Sequence, residues 1–188
     1  MTGTKPLSLH QTLQQDMAVL NARGPNNVLK LLRLLGRAGF LAVVLHRLGA
    51  AAFQRGRVGR VLAALLARLN QFLNGCDISN QAVIGPGFKL SHPYGVVIGL
   101  ARIGSNVMML QNTTLGMRRF SDPEADPALY PIIGDHVVIC CGAVVVGPVR
   151  VGDHATIGAN AVVLTDVPAG STAIGVPARI AFSHRAAA

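Results

Sequence analysis

The sequence predicts a mainly β protein, a parallel β coil of six-residue repeats preceded by an α-helical segment. Two observations carry this. Aliphatic residues stand six apart along the second half: Ile78, Ile84, Leu90 and Val96, then Ile103, Met109 and Leu115, then Ile133, Ile139, Val145, Val151, Ile157 and Val163. Gly85, Gly104, Gly116, Gly134, Gly152 and Gly158 each follow one of them, and small or β-branched residues such as Ala82, Thr113 and Ala143 recur two places before. A helix repeats every 3.6 residues and a half-buried strand every two, so neither explains a period of six. A hexad that is one short strand and a turn does, three hexads closing a triangular coil.

Taken in order, residues 1–10 read as a loose tail. Residues 13–74 carry a helical pattern, broken at Gly24-Pro25 and loosened near Gly56 and Gly59. Within it, 28–48 is rich in Leu and Val, with Lys30, Arg33 and Arg37 on one face, a basic amphipathic helix. Its longest uncharged run, 38–45, is too short to span a bilayer. Hexads begin at Gly75, and the register slips by one between Val96 and Ile103. From Leu115 to Ile133 they lapse, so 117–131 is expected to leave the coil as a loop. The division expected is a helical segment at 1–74 and a coil domain at 75–188 with a short tail.

The charge is partitioned as sharply as the pattern. The chain has 188 residues and a formal net charge of +9. Ten basic residues lie in 1–74 against one acid, Asp16, while 75–188 hold seven of each sign. Such a segment suits an anionic partner, most simply a membrane surface, giving weak peripheral contact. Nucleic acid is not expected, because the basic residues are not interleaved with aromatics. Cys76, Cys140 and Cys141 lack metal-type spacing, and reduced thiols in a cytoplasmic setting are expected. No leader pattern opens the chain.

The stretches Gly75-Cys-Asp-Ile-Ser79, Ser91-His-Pro-Tyr-Gly-Val-Val-Ile-Gly99, Gln111-Asn-Thr-Thr-Leu-Gly116 and Gly175-Val-Pro-Ala-Arg179 resemble the left-handed parallel β-helix acyltransferases. Within them the chain is most similar to the serine acetyltransferase-like branch. Gly39-Phe40 with His46-Arg47 is similar to the helical segment that precedes the β-helix there. The resemblance implies His92 as general base, since an alcohol becomes a competent nucleophile only when its proton leaves and imidazole titrates near ~6.5. It implies Asp77 as the group that orients His92. It implies acetyl-CoA along a groove between neighbouring prisms of a homotrimer, at Gly116, Cys140, Cys141, Gly158 and Ala159. Arg179, and less strongly Arg185, would meet the nucleotide phosphates, and N–H groups near Gly116 the oxyanion.

Departures from that branch shape the functional expectation. Ser91 stands where an acid precedes the histidine, Leu100 where an acid follows Val-Ile-Gly, and Leu129-Tyr130 where an Arg-His pair precedes proline. Those charged groups would grip an amino acid. With neutral Ser91, Tyr94 and Tyr130 in the acceptor site, the expectation is an O-acetyltransferase acting on a sugar or polysaccharide precursor. Serine O-acetyltransferase of cysteine biosynthesis is the enzyme alternative, and a β-helix scaffold binding a partner through its basic helices is the non-enzyme one. His136 and His154, eighteen apart, should stack on successive coils, but no third histidine falls in register, so no metal is expected.

Overall fold

The computed structural model describes residues 7–20, 34, 36–118 and 126–183. Among these residues three helices, α1 (Leu9–Ala18), α2 (Ala38–Phe53) and α3 (Gly56–Asn74), precede fifteen short strands that form a left-handed parallel β-helix with one antiparallel closing strand. Most strands are two residues long, the first facing outward and the second buried, as the two-residue side-chain alternation of an extended chain requires.

The strands stack into three sheets, one per face of the prism. Sheet A holds β1 (Asp77–Ile78), β4 (Val97–Ile98), β7 (Thr114–Gly116), β10 (Val144–Val146) and β13 (Val162–Val163). Sheet B holds β2 (Val83–Ile84), β5 (Arg102–Ile103), β8 (Ile132–Ile133) and β11 (Arg150–Val151). Sheet C runs from β3 (Lys89–Leu90) through β6 (Met108–Met109), β9 (Val138–Ile139) and β12 (Thr156–Ile157) to β14 (Ser171–Ile174) and β15 (Arg179–Ser183). All pairings are parallel except β14 with β15, which closes the top of sheet C. Val138 pairs with Thr156, eighteen residues on, the three-hexad coil. Met108 pairs with Val138, thirty residues on, twelve more than one coil. The core is the aliphatic column itself, from Ile78, Ile84 and Leu90 to Ile157 and Val163.

One position in that column differs from the hexad reading. Ile98, not Val96, is the inward residue of β4, paired with Ile78 and Leu115. Val96 is buried too, but at the end of the preceding corner. The corner from sheet C to sheet A at 91–96 therefore has six residues, where the three above it on the same edge (110–113, 140–143 and 158–161) have four. The one-residue register slip is the net of this corner's two extra residues and a step from Ile98 to Ile103 that is one shorter than six, and the enlarged corner is the one that carries His92.

The helices are fastened by a buried ion pair. Asp16 of α1, fully buried, accepts from Arg47 Nε at 3.0 Å, from Arg47 Nη2 at 3.3 Å and from the Phe88 backbone N–H at 2.9 Å. Arg47 also donates to the carbonyls of Ile84 and Gly85. On α2, a Cβ at Gly39 would stand 2.0 Å from the Leu90 carbonyl oxygen, so only glycine lets the helix seat on β3. Phe40, Ala42, Val43 and Leu45 are buried. These α2 residues of the apolar face expected to meet a membrane are thus packed inside, and Arg47 is neutralised internally. Lys30 and Arg33 lie outside the described residues. Among the described residues no helix is long and apolar enough to cross a membrane.

Candidate active site

The edge between sheets C and A gathers most of the expected site. Along it the backbone ladder runs from Gly95 N–H to Gly75, Asn112 N–H to Tyr94, Gly142 N–H to Gln111 and Asn160 N–H to Cys141, each ending on a carbonyl oxygen. Gly95, Asn112, Gly142 and Asn160 all have positive φ, the tight corner conformation. At Gly95 a Cβ would also stand 2.1 Å from Asn112 Oδ1. The residue before each, namely Tyr94, Gln111, Cys141 and Ala159, consequently forms one row up the edge. Pro93, Leu110, Cys140 and Gly158 form the row beside it.

His92 projects from the enlarged corner at the foot of these rows and is exposed. It lines a cavity of about 290 Å³ with Ser91, Tyr94, Phe40, Arg37 and Lys89. Arg37 and Lys89 escaped the sequence reading as site residues: Arg37 lies more than fifty positions from His92, and Lys89 is the ordinary outward residue of a strand. Asp77 is exposed at the start of β1, where its N–H donates to Val96 at 2.8 Å, just beyond the end of the His92 corner. No hydrogen bond joins its carboxylate to His92 among the described residues.

Gly116 and Tyr130 fall elsewhere. Gly116 ends β7 at the edge between sheets A and B, its carbonyl accepting from Gly147. Tyr130 is buried with its ring over Gly99 at that same edge, 2.1 Å from where a Cβ on Gly99 would stand. Within one prism the candidates therefore divide between the two edges that flank sheet A. Arg179 is exposed at the start of β15, which closes sheet C at the top of the prism. Arg185 lies outside the described residues.

The thiols are free. Burial pushes Cys140 up from its ordinary value, with the neighbouring Cys141 adding to it. Cys76 is pushed up to about 11, first by burial and then by Asp77 beside it. His136 and His154 stack as their spacing predicts, ring centroids 4.7 Å apart, on the edge between sheets B and C, away from His92. Among the described residues no three potential metal ligands are grouped.

A parallel coil of hexads with an exposed histidine on an enlarged corner defines a hexapeptide-repeat transferase, and residues 130–165 match the family described as bacterial transferase hexapeptide (six repeats). The chain belongs more narrowly to the serine acetyltransferase family. It is 35% identical over 173 residues to the serine acetyltransferase of Bacillus licheniformis, covering 92% of this chain and 77% of that protein. It is 41% identical over 174 residues to probable serine acetyltransferase 5 of Oryza sativa subsp. japonica, covering 92% of this chain and 49% of that one. The crystal structure of Neisseria gonorrhoeae serine acetyltransferase in complex with serine superposes with a TM-score of 0.80 at 33% identity, over 93% of this chain and 69% of that one. The chain spans about half the length of the plant relatives it matches.

These relatives overturn the sugar-acceptor expectation. That expectation leaned on neutral residues where the family has charged ones. The structure supplies a physical reason for the misreading: Tyr130 packs on Gly99 instead of lining the His92 cavity, and that cavity is cationic through Arg37 and Lys89.

Proposed function

We propose that the chain is the catalytic part of a serine O-acetyltransferase that moves acetyl from acetyl-CoA to the hydroxyl of L-serine. The observation that carries this is the His92 cavity. It combines an exposed imidazole with two cations, Arg37 and Lys89, suited to the carboxylate of an amino acid, and it sits in a chain related to serine acetyltransferases over nine-tenths of its length. His92 takes the serine hydroxyl proton as the oxygen attacks the thioester carbon. The tetrahedral intermediate then expels the CoA thiolate, which leaves as thiol once protonated. Asp77, at the start of β1 beside the end of the His92 corner, is the group that orients His92.

Acetyl-CoA runs up the edge past Cys141, Cys140, Gly158 and Ala159, with Arg179 at the top meeting its phosphates. Ser91 and Tyr94 flank the acceptor. Gly116 and Tyr130, on the far edge of sheet A, join the site across a homotrimer interface, from the neighbouring prism. The test is thiol release from acetyl-CoA with and without L-serine, with O-acetylserine identified by mass. Serine-dependent release is expected. Release that is no faster with serine would overturn the proposal.

A further inference from the structure

Two half-buried thiols, Cys140 and Cys141, occupy successive residues of one corner on the edge between sheets C and A. The corner is a tight turn in which the Ala143 N–H donates to the Cys140 carbonyl at 3.3 Å and Gly142 takes a φ of +71°. Ile139 before the pair and Ala143 after it are buried in the core, while both cysteines reach the surface between them. Cys141 adds to the upward push on Cys140, an effect that requires the two sulfurs to stand near one another. Cys76, the third thiol, is buried beside β1 and takes no part.

The surroundings narrow what this pair can bind. Their α-carbons stand about 3.8 Å apart across a trans peptide, short of the ~4.4–6.8 Å that a disulfide ordinarily spans. Exchange with an external disulfide needs a thiolate, and neither row of this edge offers a cation to make one. Tyr94, Gln111 and Ala159 neighbour Cys141, and Pro93, Leu110 and Gly158 neighbour Cys140. Burial also holds the proton on Cys140. Zinc takes four ligands, and among the described residues no three potential ligands are grouped. A thiophile satisfied by two sulfurs, and bringing its own proton acceptor, does fit. A trivalent arsenical oxide is one.

We infer that Cys140 and Cys141 together bind a trivalent arsenical, one per chain, and that the adduct closes the donor edge. With an organoarsenic oxide two As–S bonds form and the arsenic–oxygen bond breaks. Both thiol protons leave on that oxygen as water, and nothing is oxidised or reduced. Two thiols fixed at one corner act as linked ligands, which raises apparent affinity by roughly 10²–10⁴ over a single thiol. The closure rests on the acetyl-CoA path proposed above. At ~4.8 Å a coil the pair stands roughly 10 Å above the Tyr94 corner, between Gln111 and Ala159 of the same row. The adduct therefore lies across the donor path and clear of His92.

The experiment loads the full chain with phenylarsine oxide, washes it with excess 2-mercaptoethanol and reads the retained arsenical by intact mass. Wild type is compared with Cys76→Ser, Cys140→Ser and Cys141→Ser. Wild type and Cys76→Ser should keep one arsenical per chain, at the expense of two titratable thiols, until 2,3-dimercaptopropanol removes it. Either corner variant should need at least ~10² more arsenical to load and should lose it in the wash. Wild type that keeps none, or a corner variant that keeps it as well as wild type, would overturn the dithiol site and leave the donor path and the serine assay standing. In a second arm, acetyl-CoA at about a hundredfold excess over its Kd should slow loading of wild type by about that factor. Loading that ignores acetyl-CoA, while still needing both thiols, would overturn the closure and the donor path beneath it.

Discussion

Removing the Asp16 carboxylate should uncouple α1 from the rest of the molecule at large cost. In Asp16→Ala, Arg47 keeps its guanidinium buried without a counter-charge, and the Phe88 N–H loses its acceptor. Arg47 retains the Ile84 and Gly85 carbonyls, which bond it but do not neutralise it. Removing one partner of a buried pair costs about 3–5 kcal/mol, and an orphaned buried donor about 1–3 kcal/mol. The two overlap at one site, so roughly 4 kcal/mol is expected, a sizeable fraction of the ~5–15 kcal/mol of an ordinary domain. Denaturant unfolding at fixed protein concentration reads it, with Arg47→Met and the double variant completing a cycle. The double variant should be less destabilised than the two singles summed, because removing both charges leaves neither one orphaned. Asp16→Ala within about 1 kcal/mol of wild type, or strict additivity, would refute the reasoning.

Two other outcomes follow from the same structure. Burial, with the Arg47 charge second, pushes His46 down to about 3, and its Nδ1 has no partner among the described residues. The unfolded chain therefore binds a proton that the folded chain refuses between about pH 6.5 and 3. Stability should fall with decreasing pH there by up to about 1.4 kcal/mol per unit, and His46→Phe should flatten that slope; an unchanged slope would contradict it. Cys141→Trp, in the row above Tyr94 and Gln111, should raise KM for acetyl-CoA by roughly tenfold (~1.4 kcal/mol) with kcat little changed, and an unaltered KM would remove that edge from the donor path.

The coil was legible because every hexad repeats the same physical problem, an aliphatic residue inside and a tight corner after it. The exception, Val96, misled because both it and Ile98 are apolar and buried; only the backbone pairing of β4 separates them. His92, Tyr94, Cys141 and Ala159 could be chosen from motifs, but their alignment on one edge depends on corner lengths that the motifs do not state. Arg37 and Lys89 were out of reach, since helix α2 brings Arg37 to the His92 corner by a contact between distant segments. Asp16 did carry a signal, as the single acid among ten bases in 1–74. The acceptor was misread because neutral residues stood at motif positions where the branch carries charge, while the cations of the His92 cavity, Arg37 and Lys89, lie outside those motifs.

The central claim is that His92 is the base for acetyl transfer to serine, and one paired measurement on His92→Ala tests it most directly. Turnover with acetyl-CoA and L-serine should fall by about two to four orders of magnitude, while CoA affinity, measured by calorimetry on the same sample, stays within a few-fold of wild type. A variant that keeps more than about a tenth of wild-type turnover would take His92 out of the mechanism. Loss of CoA binding alongside turnover would make it a structural residue instead.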